Sequence, residues 1–251
     1  MKVAADFVID IPTVKIDDLV TKARQKLRDD IFREVFVYDA KKVLAGYIDI
    51  TDVLRVTATK SNITVEGFLK EITPVLPGVS VEEAACIIRK NRTNSAPVID
   101  ENKQIVGGIL LSDIFPIIIT RNELHGLVRD WMNKKVITCS PADSVQKVHN
   151  LILESGFTAF PVIKKNKLAG IISRRDLLKD GRLRTALESG NSVPVGEIMQ
   201  KTVISVSPGE KTGVAAEIMV RLDISRLPVM DDERLVGIID RHDILKGLTC
   251  P

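Results

Sequence analysis

Aromatic side chains are scarce in this chain. Phe, Trp and Tyr make up 4% of its 251 residues, with a single Trp. So few rings cannot build the stacking platform that single-stranded nucleic acid requires. A dominant charge is missing as well. Lys and Arg number 36 against 33 Asp and Glu, a formal net charge of +3, too small a surplus to imply nucleic acid. Long apolar runs are also lacking. The longest surrounds Phe115-Pro116-Ile117-Ile118-Ile119, far short of the ~20 residues that cross a bilayer. Between Met1 and Phe7 there is one Lys and no extended apolar core, so no signal peptide is expected. Three widely spaced cysteines, Cys86, Cys139 and Cys250, read as free thiols in a reducing cytoplasm. Cys86 and Cys139 fall on apolar-patterned segments, as buried structural thiols do. His125, His149 and His242 have no metal-ligand spacing, and no GxxxxGK[ST] loop occurs. No metal, membrane or nucleic-acid partner is expected.

What the sequence does hold is a repeat. With 45% hydrophobic and 27% charged residues it is globular in composition. Four segments carry a Gly followed six residues later by an Asp: Gly46 to Asp52, Gly107 to Asp113, Gly170 to Asp176 and Gly237 to Asp243. The intervals between these Asp residues are 61, 63 and 67. Three copies add Pro97-Val98, Pro161-Val162 and Pro228-Val229, each with another Pro 20 residues upstream at Pro77, Pro141 and Pro208. The first copy has Phe36 in place of the later Pro, 10 residues before Gly46, and lacks the upstream one. Self-similarity at a fixed period means stacked supersecondary units.

The fourth copy shows what one unit is. Val203-Ile204-Ser205-Val206 reads as a short strand ended by Ser207-Pro208-Gly209. Ala215, Ile218, Met219 and Leu222 then share one helix face, as do Val81, Ala84, Ala85 and Ile88 in the second copy. Leu227 to Met230 and Leu235 to Ile239 form a hairpin around Asp231-Asp232-Glu233. A last helix starts at Asp240 or Asp243, with Ile244 and Leu245 inward. The expected fold is therefore α+β (mixed α/β), four β-α-β-β-α units. Each is too small to bury its own apolar face, so units should pair, first with second and third with fourth. The expected repeats span about 7–57, 65–117, 127–180 and 195–248. The pairs span 1–120 and 121–251, with the boundary near Thr120-Arg121-Asn122 and a helical connector between Gly181 and Asn191, where Leu183, Ala186 and Leu187 have helical spacing.

This pattern, and Gly170-Ile171-Ile172-Ser173-Arg174-Arg175-Asp176 most specifically, resembles the cystathionine β-synthase-type (CBS) domain, two of which form a Bateman module. The resemblance covers about Phe7 to Leu248. The four-repeat arrangement is similar to stand-alone archaeal CBS proteins and to the γ subunit of AMP-activated protein kinase. It implies a regulatory protein rather than an enzyme, with an adenosine nucleotide (AMP, ADP or ATP) held between paired repeats. The motif Asp would hold ribose hydroxyls: Asp52, Asp176 and Asp243, with Asp113 in the second copy. The residue three before it is Ser173 in the third copy but Asp49, Leu110 and Asp240 in the others. First-strand polar residues Thr13, Thr138 and Ser205, and the chain at Phe160-Pro161 and Leu227-Pro228, would hold the base; Pro74 and Leu110 deprive the second copy of two polar groups. Phosphate would meet Arg175, Arg226 and His242.

The bland alternative is that each motif Asp caps the helix after it, and that Arg174 and Arg241 are solvated surface arginines. Asp240 adds negative charge where phosphate is expected. The second pair, with the intact third copy, is the better expected binder. Its output would pass to a separate, unidentified effector protein, and a monomer with an internal disc or a homodimer would both be compatible. Rival readings are a ligand-free interaction scaffold, a metal-dependent nucleotide hydrolase using Asp240 and Asp243, and S-adenosylmethionine or NAD as the ligand.

Overall fold

A computed structural model of the chain describes all residues except 1, 29, 30, 57, 59, 60, 122, 123, 249 and 251. Met1, Thr57 at the expected end of the first repeat, Asn122 at the expected pair boundary and Pro251 at the chain end therefore lie outside the described residues.

The first repeat contains β1 (Thr13–Lys15), α1 (Val20–Leu27), β2 (Glu34–Tyr38), β3 (Leu44–Asp49) and α2 (Ile50–Arg55). The second contains α3 (Val81–Asn91), β4 (Ser95–Ile99), β5 (Ile105–Leu110) and α4 (Leu111–Arg121). The third has a short α5 (Val128–Trp131), then α6 (Val145–Ser155), β6 (Ala159–Lys164), β7 (Lys167–Ser173) and α7 (Arg174–Asp180). The connector α8 (Arg182–Ser189) leads to α9 (Thr212–Arg221), β8 (Arg226–Asp231), β9 (Arg234–Asp240) and α10 (Arg241–Ile244).

Every hairpin is antiparallel and slips register at the same place, after the Val that follows the Phe or Pro landmark. That Val faces the motif glycine in each: Val37 and Gly46, Val98 and Gly107, Val162 and Gly170, Val229 and Gly237. Loop length follows the sequence spacing. The third and fourth copies are one residue shorter and close with two-residue turns, Lys165-Asn166 (φ 49° and 64°) and Asp232-Glu233. The first two need longer loops, which Asp39 and Asp100 hold by accepting from Lys41 and Val43 N–H, and from Asn102 and Gln104 N–H.

The first strand is a strand in one copy only. β1 pairs in parallel with β2, whereas Val75, Cys139 and Val206 each form a single bridge, to Val98, Val162 and Val229. The expected Val203–Val206 strand is thus reduced to one residue. The reason is a missing donor. Ile16 N–H bonds to Tyr38 O at 3.0 Å, and the matching places hold Pro77, Pro141 and Pro208, which have no N–H.

The helices bury the expected faces with two exceptions. Val81, Ala84, Ala85 and Ile88 of α3 are fully buried, as are Ile244 and Leu245 after β9. α9 instead turns Thr212, Ala215, Ala216 and Met219 inward. Leu222 lies beyond its end and is exposed, and Leu187 on α8 is exposed while Leu183 and Ala186 are buried.

Short turns before each repeat dock on the neighbouring repeat. Ala4, Val65, Val128 and Val195, spaced by the same 61, 63 and 67 residues, are each 0% exposed. The residues just before them bridge helix starts across the pair: Val3 to Ser80, Thr64 to Leu19, Leu127 to Lys211 and Pro194 to Ser144. Each repeat therefore completes the other's core. The chain divides into two compact units. One comprises the first 124 residues with Val220–Asp223 and the segment from Ile244 onward; the other comprises His125–Met219 and Ile224–Asp243.

Within the first unit Cys86 of α3 is joined to Cys250 by a disulfide, while Cys139 is free and buried. This corrects the reading of three free thiols, and the argument from free thiols to a reducing compartment falls with it. The two cysteines are 164 residues apart in sequence, so nothing local announces the pair. Arg89, one turn from Cys86, donates to Leu245 O and Leu248 O, which holds the C-terminal segment against α3.

Candidate functional site

The motif Asp occupies the first turn of the helix that follows each hairpin, at the third helical residue rather than as the cap itself. The cap is the residue three before it. Ser173 caps α7, and the Ser173 N–H in turn donates to Asp176 Oδ2 at 2.7 Å. Asp49 caps α2 and donates its N–H to Asp52 Oδ2 at 2.8 Å. Asp240 accepts from Asp243 N–H at 2.9 Å and donates its own N–H to Asp243 Oδ2 at 3.1 Å. This is a reciprocal capping box. One carboxylate oxygen is thereby committed to the helix start. In the third copy the other oxygen, Asp176 Oδ1, accepts from Gln200 Nε2 at 3.1 Å. In the first copy Lys70 Nζ lies 2.7 Å from Asp52 Oδ2 and 3.3 Å from Asp49 Oδ2. Burial and the neighbouring Asp49 push the Asp52 carboxyl above the usual range, with Lys70 opposing.

Gln200 and Lys70 are equivalent. With Ile9 and Asn133 they lie on the segments that lead into each repeat, and each bridges the partner repeat's hairpin beside the motif glycine. That close approach explains the glycine. A Cβ on Gly170 would lie 2.7 Å from Gln200 O, and one on Gly107 would lie 2.8 Å from Ile9 O.

In the second unit the predicted residues converge on Arg226. It opens β8 opposite Asp240 and donates from Nη1 to Thr158 Oγ1 at 2.8 Å. Desolvation pulls the guanidinium below the usual arginine range. Asp240 opposes this most strongly, the nearby Arg174 adds to it, and Asp176 and Asp243 oppose it. One guanidinium thus feels the motif aspartates of both repeats. Asp240, which adds negative charge where phosphate is expected, lies opposite this arginine in the hairpin.

The other expected residues are more scattered. Phe160, Pro161, Leu227 and Pro228 are buried in the hairpins, and Pro161 O and Pro228 O accept from Cys139 and Val206 N–H at 3.0 and 3.1 Å. Thr138 and Ser205, one residue before those donors, are exposed, and Arg175 and His242 are half-buried in the first turns of α7 and α10. Thr13, at the start of β1, and Asp52 belong to the first unit.

Arg174 and Arg241 are not solvated. They are 8% and 9% exposed. Arg241 Nη2 donates to Met219 O at 3.3 Å, supplying a cation to the last turn of α9. Thr158 and Gln200 are not among the residues that the sequence singles out. The signal for Thr158 was its place three residues before Pro161, where the other copies also carry polar residues: Arg33, Asn94 and Ser225.

The CBS-domain family model matches four stretches, residues 4–58, 66–120, 128–181 and 195–249. The chain belongs to the CBS-domain family.

Protein MJ1225 of Methanocaldococcus jannaschii is 29% identical over 175 residues, 66% of this chain and 62% of that protein. Its crystal structure, a proposed archaeal homologue of γ-AMPK, superposes with a TM-score of 0.80 at 24% identity, covering 96% of this chain and 97% of the other. A conserved protein from Pyrococcus horikoshii superposes at 0.66 with 22% identity, over 99% and 100%. These likenesses establish the four-repeat fold. An inosine-5'-monophosphate dehydrogenase of Korarchaeum cryptofilum is 36% identical over 112 residues, but these are only 22% of that enzyme. The match therefore transfers no dehydrogenase activity to this CBS-domain chain. Among the described residues no group of three or more His, Cys, Asp or Glu is arranged to hold a metal ion, and no helix is long and apolar enough to cross a membrane.

Proposed function

We propose that this CBS-domain protein is a ligand-gated regulator that binds AMP, or a closely related adenosine nucleotide, between its third and fourth repeats. The observation that carries this is the Arg226 cluster. A carboxylate accepts two vicinal hydroxyls, which suits Asp176 or Asp243 to a ribose. A guanidinium matches a phosphate in a two-pronged geometry, which suits Arg226, supported by Arg175 and His242. Arg226 is pre-positioned by Thr158, so little ordering is left to the moment of binding. Signalling to a separate effector protein requires that the nucleotide favour one arrangement of the chain over another.

The test is calorimetric titration of nucleotide-stripped protein with AMP, ADP, ATP and S-adenosylmethionine, repeated with Asp176→Ala and Arg226→Ala. AMP is expected to bind. Each substitution should weaken it by a factor of about 10 or more, the loss of one charged hydrogen bond. Arg226→Ala should leave adenosine binding nearly unchanged. No heat with any of the four would replace this reading by that of a ligand-free interaction scaffold.

A further inference from the structure

The two pairs of repeats carry opposite charge at equivalent places. Two residues before the Phe or Pro landmark stand Glu34, Ser95, Ala159 and Arg226. In their hairpins they face Asp49, Leu110, Ser173 and Asp240. Glu34 is 1% exposed. It accepts from Asn94 N–H at 3.0 Å, from Asn94 Nδ2 at 3.3 Å and from Ser95 Oγ at 2.8 Å. The Glu34–Asn94 contact is the counterpart of Arg226–Thr158, each joining this place in one repeat to the preceding position of its partner. The same interaction is built on a carboxylate in one pair and on a guanidinium in the other.

The contrast extends to the helix starts. The first helical residues are Ile50 and Leu111 in the first pair but Arg174 and Arg241 in the second. The next are Thr51 and Ser112 against Arg175 and His242. At these six places the first pair has one carboxylate and no cation. The second has four arginines and a histidine. Lys70 of the first pair sits on Asp52 and Asp49. A phosphate entering the first pair would face the buried Glu34 with one arginine, Arg33 at the place just before it, where the second pair brings four.

Resting on the nucleotide-binding reading above, we infer that Glu34 is a specificity-determining residue that excludes phosphate from the first pair. AMP is then confined to the second pair, and the first is left to ligands without phosphate.

Photolabelling of the full chain with 8-azido-AMP, followed by peptide mapping, tests this. AMP-displaceable label is expected only within residues 125–243. In Glu34→Gln, which can still accept from Ser95, AMP-displaceable label should appear within the first 124 residues, where the wild type has none, the effect of removing one like charge at close range. Displaceable label on the first pair of the wild type would overturn the inference while leaving the nucleotide reading intact. A first pair still unlabelled in folded Glu34→Gln, with its melting temperature preserved, would overturn the role of Glu34. No displaceable label anywhere would sink the nucleotide reading and this inference with it.

Discussion

At Gly170 a single methyl group would reach within 2.7 Å of both Gln200 O and Met199 Sδ. The neighbour in the first case is backbone, so the strain has no cheap outlet. Gly170→Ala is expected to cost about 1–3 kcal/mol, measured as a lowered midpoint in urea with an unchanged slope. Gly78→Ala, where nothing lies within 4 Å, is the control and should be silent. The thiols make a second prediction at this scale. Burial, helped by Asp143 and opposed by Lys147, pushes the Cys139 thiol up to about 11. It is therefore protonated at neutral pH and a poor nucleophile. Ellman's reagent should find no reactive thiol in the native protein, one in unreduced denatured protein and three after reduction. Apolar surroundings in the sequence mark both Cys139 and Cys86 as buried, as they are. They do not reveal that Cys86 is bonded to Cys250, because a bond across 164 residues leaves no local pattern.

The helices and hairpins were largely legible, because their periodicities are local and burial amplifies them. α3 and the inward Ile244 and Leu245 follow the sequence directly. The first strand did not, since β-branched residues signal a strand whether or not the N–H groups exist to pair it, and the prolines at 77, 141 and 208 remove one. The starts of α1 and α6 carry a further pair of devices. Asp18 accepts from Lys15 N–H and from Lys22, and Asp143 from Ser140 N–H and from Lys147. Burial acts to raise both carboxyls, but these hydrogen bonds outweigh it and hold both below their ordinary value of 3.8. A carboxylate whose folded pKa is depressed stabilises above its unfolded pKa and loses that contribution as pH falls through the folded one. The melting temperature should therefore fall as pH drops below about 4. Asp18→Asn/Asp143→Asn should flatten that part of the profile, and an unaltered profile would show that these pairs do not contribute.

For the molecule as a whole the disulfide is the feature with the longest reach. Closing a loop of 164 residues restricts the unfolded chain by about 5 kcal/mol in the chain-entropy account. Reduction should lower the melting temperature by on the order of 10 °C. Cys250→Ser should melt like the reduced protein and show no further response to reductant. An oxidised wild type with the same melting point as the reduced form would remove the disulfide from the forces holding the C-terminal segment, leaving the Arg89 hydrogen bonds.

Taken by itself, the sequence determined the four repeats, their pairing partners within the chain order, the hairpin loop lengths and the motif aspartates, because each is written in spacing and local periodicity. Tertiary structure alone decided what those aspartates meet. Lys70 reaches Asp52 and Gln200 reaches Asp176 from the partner repeat, and Thr158 reaches Arg226 in the same way, over 18 to 68 residues of sequence. Their roles depend on which repeat lies across the pair, and so does the sign of the charge there: Glu34 beside Asn94 in one pair, Arg226 beside Thr158 in the other.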